Sequence, residues 1–347
     1  MGSYILQVEN LSKSFGKVKA VINATFNVNR GEIFSIVGPS GSGKTTLLRC
    51  IGGIETPDEG VIVFNDRVIF DSKRGINVPP EARGMSYVPQ TWALWPHMKV
   101  RDNIAFGLKM RGFPREEIDA RVREISKALK IEELLDRYPW QLSGGQQQRV
   151  AVARALALKP QLILFDEPLS NLDAALREEA RVWLKNLLKE LNITALYVTH
   201  DIHEALFLSD RIAFMYDGRI RVIETPENIY MRRDIPELAR LFGYNIIKAR
   251  VIDHERGLVM VNEEEYITCD NPHKVKGDAL VIFAPSEVKV GYSGIKAKVL
   301  RRSFMGGYFE YSLRLGDNII RVISEAYLKE GSDVFISINR CTIAPIT

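Results

Sequence analysis

A glycine-rich segment at residues 38–45 has the residue types and spacing of a phosphate-binding loop. Gly38, Gly43, Lys44 and Thr45 satisfy the pattern G-x-x-x-x-G-K-S/T. The glycines let successive backbone amides turn inward as an anion-binding nest, and a following helix directs its positive end at the same place. In this pattern Lys44 reaches the β- and γ-phosphates, and the Thr45 hydroxyl binds Mg²⁺. The segment therefore predicts a site for a nucleoside triphosphate.

The sequence on both sides of this loop supports that interpretation. Glu32–Val37 is a short apolar run that predicts a strand, and Lys44–Ile51 has the pattern of a helix. The alternative is a glycine-rich turn that happens to precede Lys-Thr, and such a match arises by chance in roughly one chain in a hundred. The residues predicted to bind the nucleotide here are Gly38, Pro39, Ser40, Gly41, Ser42, Gly43, Lys44, Thr45 and Thr46.

Acidic and imidazole side chains follow two further apolar runs. Leu162–Phe165 leads into Asp166 and Glu167, and Ala195–Thr199 leads into His200. A carboxylate at a strand tip suits Mg²⁺ coordination, so we expect Asp166 to bind the metal and Glu167 to act as a general base. Ligand sites in parallel sheets gather at the carboxyl ends of the strands, so His200 is expected beside the γ-phosphate. A turn is the alternative for the acids, and a structural role is the alternative for the histidine.

A second helix N-terminus is predicted to receive an anion. Ser143 is a suitable N-cap for a helix that runs to about Leu158. Gly144 and Gly145 leave backbone amides free at its positive end. The alternative is an ordinary capped helix with a flexible entry. Because one ATP does not obviously need two such helix ends, this one is either idle or serves the ligand of another subunit.

Three aromatic side chains each have two interpretations. Phe15 lies upstream of the phosphate-binding loop and is either a core residue or an exposed platform for adenine. Trp92 and Trp95 lie in the loop that follows Gln90, and they either mark a contact surface or form local core.

Length and composition are those of a globular protein of two domains. The chain has 347 residues, of which 46% are hydrophobic and 26% are charged. The net charge of +4 does not by itself argue for nucleic-acid binding. Cys50, Cys269 and Cys341 show no paired or metal-ligand spacing, which predicts a reducing compartment. There is no signal-peptide pattern and no apolar run of membrane-spanning length, so we expect a cytoplasmic protein.

The order of the predicted elements changes at about residues 224–243. Before this point strands alternate with helices, which predicts a parallel α/β sheet; Gly112–Pro114 is expected to separate two helices within 100–137. Short strands are predicted at 4–9 and 26–30, with turns at Gly16-Lys17 and Asn23, and a hairpin is predicted to turn at Asn65-Asp66. After Asn245 only short strand-like runs with intervening glycines remain, which predicts a second, all-β domain resembling a small barrel.

These motifs together resemble the ATP-binding subunits of ABC transporters. Gly38–Thr45 matches the Walker A loop, Gln90 the Q-loop and Leu142–Gln146 the family signature. Leu162–Glu167 matches the Walker B strand, Ser170–Asp173 the D-loop and His200 the switch histidine. The match covers roughly residues 4–240. It implies an α/β P-loop NTPase with a RecA-like core, an antiparallel β subdomain and a helical subdomain, followed by a small OB-like barrel.

The resemblance also implies a homodimer with composite ATP sites. Ser143, Gly144, Gly145 and Gln146 of one copy would bind the γ-phosphate held by Lys44 of the other. Glu167 would activate the attacking water, His200 would contact the γ-phosphate, and Phe15 would stack on adenine. Thr45, Gln90 and Asp166 would surround Mg²⁺.

The predicted second domain is similar to the regulatory (TOBE-like) domain of importer ATPases for sugars, sulfate, molybdate, iron and polyamines. This implies an ATPase domain at 1–240, with its helical subdomain at about 91–158, and a regulatory domain at 241–347. The expected function is the ATP-hydrolysing motor of an importer at the cytoplasmic face of the membrane, for a sugar or a polyvalent ion such as iron(III). Expected partners are a permease contacted near Gln90, Trp92 and Trp95, and a solute-binding protein, with no nucleic acid. The alternative is a soluble ABC-type ATPase associated with DNA or ribosomes.

Overall fold

The computed structural model describes residues 4–262 and 265–346. The chain divides into two compact units, with the boundary between Ile229 and Tyr230. Up to the boundary helix the elements are β1 (Tyr4–Phe15), β2 (Val18–Asn29), β3 (Ile33–Val37), α1 (Lys44–Gly52), β4 (Glu59–Phe64), β5 (Arg67–Asp71), β6 (Ile76–Asn77), β7 (Met85–Val88), α2 (Val100–Met110), α3 (Arg115–Ala128), α4 (Gly144–Ala157), β8 (Leu162–Asp166), α5 (Ala174–Glu190), β9 (Thr194–Thr199), α6 (Ile202–Leu208), β10 (Arg211–Tyr216), β11 (Arg219–Glu224) and α7 (Pro226–Met231). The later elements are α8 (Pro236–Leu241), β12 (Asn245–Asp253), β13 (Leu258–Met260), β14 (Tyr266–Thr268), β15 (Gly277–Phe283), β16 (Val288–Gly291), β17 (Ile295–Phe304), β18 (Phe309–Leu315), β19 (Asn318–Ser324), β20 (Asp333–Ile338) and β21 (Thr342–Ala344).

The central sheet of the first unit has the order β11-β10-β3-β9-β8-β7, and all neighbours except β10 and β11 are parallel. Every residue of β3, β8 and β9 is buried. Continuous apolar strands of this kind are typical of a parallel sheet covered on both faces. The predicted α/β class is confirmed, and the carboxyl ends of β3, β8 and β9 lie at one edge.

A five-stranded antiparallel sheet of order β2-β1-β4-β5-β6 forms the second layer. The predicted turn at Asn65-Asp66 is confirmed, since both residues have positive φ as a tight hairpin requires. The predicted turn at Asn23 is wrong. Asn23 has φ 49° inside β2, and its backbone N–H donates to Ser12 Oγ over 3.0 Å. Asparagine tolerates this conformation, so the strand continues through an irregularity and β1 and β2 are longer than expected.

The helical part of the first unit contains α2, α3 and α4. The predicted break between two helices is confirmed, because α2 ends at Met110 and α3 begins at Arg115 after Pro114. Proline is favoured immediately before or at a helix start because it has no N–H to leave unpaired. Within residues 4–262 and 265–346, no helix is long and apolar enough to cross a membrane.

The described residues of the second unit are mostly β, with helical residues at its start and one 3₁₀ turn at Pro285–Glu287. Its strands form two antiparallel sheets of order β14-β13-β12-β15-β21 and β16-β20-β17-β18-β19 around one hydrophobic core. The predicted all-β, OB-like fold is therefore confirmed. The strands β13, β14 and β21 have only three residues each.

Cys269 and Cys341 form a disulfide in this second unit, and the prediction that no cysteines pair is wrong. The two residues are 72 positions apart in sequence. They become neighbours because Asp270 pairs with Thr342 in an isolated parallel bridge. Cys50 is buried and free. The expectation of a reducing compartment rested on unpaired cysteines, so this disulfide removes its basis.

Candidate functional site

The phosphate-binding loop connects β3 to α1 at the carboxyl edge of the central sheet. Gly43, the residue before α1, has φ 99°, and a Cβ there would lie 2.0 Å from the carbonyl oxygen of Ala20. A Cβ at Gly38 would lie 2.0 Å from the carbonyl oxygen of Met215. Only glycine fits at either position, so the loop packs closely against its neighbours while its backbone turns toward the helix N-terminus.

Lys44 is 4% exposed, and its ammonium lies under the loop. Lys44 Nζ donates to the carbonyl oxygen of Pro39 over 2.9 Å and lies 3.5 Å from Ser42 Oγ. Burial lowers the pKa of Lys44, and the charges of Glu167 and Asp166 oppose that effect. The site thus holds a partly desolvated cation, which a phosphate would stabilise.

Thr45 and Asp166 come together across 121 sequence positions, and Thr45 Oγ1 donates to Asp166 Oδ1 over 2.7 Å. Tyr87 OH donates to Asp166 Oδ2 over 2.6 Å. In the described ranges, 4–262 and 265–346, no group of three or more His, Cys, Asp or Glu side chains forms a preassembled metal site. One hydroxyl and one carboxylate nevertheless fit Mg²⁺, which is commonly bound by one or two carboxylates together with substrate phosphates and water.

Glu167 directly follows β8 and His200 directly follows β9, and the two side chains are hydrogen-bonded. His200 Nδ1 lies 2.8 Å from Glu167 Oε2. Glu167 has φ 46°, and its backbone N–H donates to the carbonyl oxygen of Val198 over 2.9 Å. This bond to β9 holds a left-handed conformation that is uncommon for glutamate. The side chain of His200 is 49% exposed and that of Glu167 is 15% exposed, so a carboxylate and an imidazole are presented together at the sheet edge.

Gln90 lies just beyond β7, but its side chain is turned toward the predicted D-loop. Gln90 Nε2 donates to Ser170 Oγ over 3.2 Å, and Asn171 Nδ2 donates to the Gln90 carbonyl oxygen over 2.8 Å. Thr45 and Asp166 are bonded to each other instead. The role of Gln90 as a metal ligand stays a prediction.

The signature segment begins α4 with a reciprocal cap. Ser143 Oγ accepts from the Gln146 backbone N–H over 3.4 Å, and the Gln146 side chain accepts from the Ser143 N–H over 3.0 Å. This capping box fixes the entry of the helix, with Gly144 and Gly145 in its first turn. Among the described residues, no hydrogen bond joins this helix end to the phosphate-binding loop of the same chain.

Phe15 is 47% exposed, with Lys13 Nζ 5.1 Å from its ring centroid. It is therefore placed on the surface, and its stacking on adenine stays a prediction. Trp92, in contrast, is 9% exposed and belongs to the helical core. The interpretation of the Trp92 side chain as a contact surface is wrong, because its indole packs inward and its Nε1 donates to the carbonyl oxygen of Pro168. Trp95 is half-buried beside Phe106, with ring centroids 4.2 Å apart.

Two residues that shape the site were missed in the sequence. Tyr87 donates to Asp166 from β7, which pairs with β8 in the central sheet. Arg83 is 2% exposed, and its Nη1 donates to the carbonyl oxygens of Cys50 and Ile51 at the end of α1. Cationic side chains stabilise helix C-termini, but nothing in the surrounding sequence identifies this arginine as a cap.

Comparison with known proteins places this arrangement in a family. A family model described as ABC transporter matches residues 21–170. The molybdate/tungstate import ATP-binding protein WtpC of Pyrococcus horikoshii is 37% identical, over 98% of this chain and 99% of its own length. The trehalose/maltose import ATP-binding protein MalK of Thermococcus litoralis is 51% identical over 63% of this chain and 59% of its own. The spermidine/putrescine import ATP-binding protein PotA of Vibrio parahaemolyticus is 37% identical, covering 98% and 91%.

Solved structures agree with these sequence relatives. The structure of cbiO1 from Clostridium perfringens, part of the ABC transporter complex cbiONQ, has a TM-score of 0.60 at 32% identity and covers 69% of this chain and 94% of its own. The dimeric structure of the ATP-binding cassette MJ0796 bound to ADP and Pi has a TM-score of 0.55 at 34% identity, covering 64% and 98%. The chain belongs to the family of ABC transporter ATP-binding subunits, in the class of import ATPases.

Proposed function

We propose that two copies of this chain close head to tail on two ATP molecules and thereby drive an import permease. The proposal is carried by the presence of two anion-binding helix ends that no hydrogen bond joins within the described part of the chain. Lys44 lies at the start of α1, where Thr45 bonds to Asp166, and Ser143 lies at the start of α4, where it caps its own helix. A second copy would bring Ser143, Gly144, Gly145 and Gln146 to the γ-phosphate held by Lys44. Each ATP would then be bound by both copies.

The chemistry within each half-site follows from the side chains on the sheet edge. Thr45 and Asp166 would hold Mg²⁺, which neutralises charge on the β- and γ-phosphates, with Gln90 as a further ligand. Glu167 would accept a proton from the attacking water. Because Nδ1 of His200 faces Glu167, Nε2 is the ring nitrogen left for the γ-phosphate. Phe15 would stack on adenine.

The surface next to Gln90 is proposed to contact the permease at the cytoplasmic face of the membrane. Thr91, Ala93, Pro96 and His97 are exposed there, beside the half-buried Trp95. Trp92 supports this surface from beneath, since its own side chain is buried. An external solute-binding protein would complete the system, as in other importers of this class. The domain at 241–347 is proposed to be regulatory.

The solute is proposed to be a polyvalent ion, with a sugar as the other candidate. Relatives that match nearly the whole chain carry the names of molybdate/tungstate and spermidine/putrescine importers, whereas the trehalose/maltose relative matches 63% of it. The matches to the molybdate/tungstate and spermidine/putrescine importers, at 98% of the chain, therefore include the second unit. Uptake of molybdate, iron(III) and maltose into vesicles that contain the assembled transporter would decide between them.

ATP-dependent dimerisation tests the proposal directly. The variant Glu167→Gln should bind Mg-ATP, lose hydrolysis and elute with twice the monomer mass in light scattering, alone or bound to its permease. Lys44→Ala is the matched control, because loss of the ammonium should prevent nucleotide binding and leave the apparent mass unchanged by ATP. A Glu167→Gln chain that stays monomeric in both settings, or one that hydrolyses ATP at the parental rate, would contradict the proposal.

A further inference from the structure

Arg154 lies near the end of α4, and its side chain donates hydrogen bonds to the loop at residues 91–97. Its Nη1 donates to the carbonyl oxygen of Ala93 over 2.6 Å, and its Nη2 donates to that of Trp92 over 2.7 Å. The guanidinium carbon also lies 4.8 Å from the centroid of the Trp95 ring. Two parallel N–H donors and a stacking face use the planar geometry that distinguishes arginine from lysine.

The loop has a backbone conformation that needs such support. Trp92 and Ala93 have φ of 59° and 45°, so two consecutive residues other than glycine are left-handed. This conformation is unfavourable for side chains with a Cβ and persists only where neighbouring groups hold it. The two carbonyl oxygens that Arg154 binds belong to these same two residues.

The underside of the loop contacts two segments of the proposed ATP site. Trp92 Nε1 donates to the carbonyl oxygen of Pro168 over 3.1 Å, one residue beyond Glu167. A Cβ at Gly144 would lie 3.4 Å from Trp92 Cη2, so the edge of the indole rests against the first turn of α4. One buried side chain therefore bridges the segment of the proposed general base and the signature helix.

We propose that Arg154 is a positioning residue that makes the 91–97 loop and α4 move as one body. A displacement of the exposed loop residues by the permease would then be transmitted to Gly144 and, through Trp92, to Pro168. This inference rests on the proposed permease contact and deepens it by naming the internal link. Without the guanidinium, the carbonyl oxygens of Trp92 and Ala93 would lose their hydrogen bonds to α4.

Arg121 provides a matched control within the same subdomain. Its Nη2 donates to the carbonyl oxygen of Leu156 over 2.8 Å and its Nε to that of Ala157 over 3.1 Å, at the C-terminal end of α4. It is thus a second half-buried arginine that binds carbonyl groups near α4, but these bonds do not involve the loop. Replacing Arg121 therefore shows which effects follow from the loss of any half-buried arginine near α4, whether or not it contacts the loop.

The first experiment needs the purified full-length chain alone. In Arg154→Gln, amide hydrogen exchange at residues 91–97 should become at least tenfold faster, with KM for ATP and basal kcat within twofold of the parent. Arg121→Gln should leave exchange in the loop unchanged. Parental protection of the loop in Arg154→Gln would overturn the inference. If Arg154→Gln loses its cooperative thermal transition, Arg154→Lys, which keeps the charge but not the paired donors, replaces it and should show the same local effect.

The second experiment uses the complex with its permease in proteoliposomes. The parent and Arg121→Gln should show permease-stimulated ATPase activity, and Arg154→Gln should lose at least nine-tenths of that stimulation. Trp92→Phe, which keeps an aromatic side chain but removes the Nε1 donor, should also weaken this stimulation. Stimulation of Arg154→Gln equal to the parent would overturn the inference. Failure of the parent itself to respond would instead contradict the proposed function, which separates the two.

Discussion

Thr45 Oγ1 and Asp166 Oδ1 are joined by a 2.7 Å hydrogen bond that ties the phosphate-binding loop to the end of β8. The hydroxyl and the carboxylate therefore satisfy each other, and Tyr87 satisfies the second carboxylate oxygen. A Mg²⁺ ion that entered with ATP would take one oxygen from each partner of the bond. The bond holds the two proposed ligands close together before the nucleotide arrives.

Replacing Asp166 by Asn should therefore impair metal use more than nucleotide binding. The amide keeps the size of the side chain but loses the negative charge that favours Mg²⁺. We expect kcat to fall at least a hundredfold, with nucleotide affinity measured without Mg²⁺ within threefold of the parent. Tyr87→Phe is the control, since it removes only the bond to Oδ2 and should cost less than tenfold in kcat. Equal losses in the two variants would contradict the assignment.

The parts of the site that were predictable from sequence are those fixed by local backbone requirements. Gly38 and Gly43 are recognisable because close backbone contacts at both positions exclude any Cβ. Asp166 and His200 are recognisable because a buried parallel strand delivers its last residues to one edge. In both cases a few adjacent residues contain the whole signal.

The parts that were not predictable depend on contacts between distant segments. Tyr87 reaches Asp166 across 79 positions, and Cys269 reaches Cys341 across 72. The burial of Trp92 depends on Pro168, which the sequence does not connect to the tryptophan loop. An aromatic residue in a polar loop has the same local pattern whether it faces inward or outward, so the structure was needed to decide.

The composite site predicts that Ser143→Arg damages hydrolysis without damaging the nucleotide site of its own chain. A bulky cation at the N-cap would remove the capping box and obstruct the partner's γ-phosphate. We expect ATP affinity of the monomer within twofold of the parent and a fall in kcat of at least a hundredfold. Mixing this variant with Lys44→Ala should restore part of the activity, because each chain supplies the half that the other lacks. Unimpaired hydrolysis by Ser143→Arg alone, or an impaired variant that recovers no activity in the mixture, would contradict the composite arrangement.

Glu204 predicts a pH dependence of stability in the first unit. It is 4% exposed, and burial raises its pKa above 4.5, although a hydrogen bond from Thr199 opposes this. The native state therefore favours the protonated acid, so its stabilising contribution is complete below about pH 4.5 and is lost as the pH rises through the folded pKa. In Glu204→Gln the free energy of unfolding should fall less between pH 5 and pH 8 than it does in the parent. Urea titrations at pH 5 and pH 8 measure this free energy, and Glu190→Gln, at an exposed position, is the control. Identical pH profiles for Glu204→Gln and the parent would refute the assignment.

The Cys269–Cys341 disulfide should stabilise the second unit selectively. In the loop-entropy model, a cross-link between residues 72 positions apart raises the free energy of the unfolded chain by about 4 kcal/mol. All four tryptophans, at 92, 95, 140 and 183, lie in the first unit, so tryptophan fluorescence reports on that unit alone. Reduction should speed amide exchange in residues 245–344 while the fluorescence transition in urea stays where it was. The double variant Cys269→Ser, Cys341→Ser should behave like the reduced parent and ignore reductant. Exchange in 245–344 that is unchanged by both treatments would mean that the bond contributes no stability, because the strands around Asp270 and Thr342 would then hold without it.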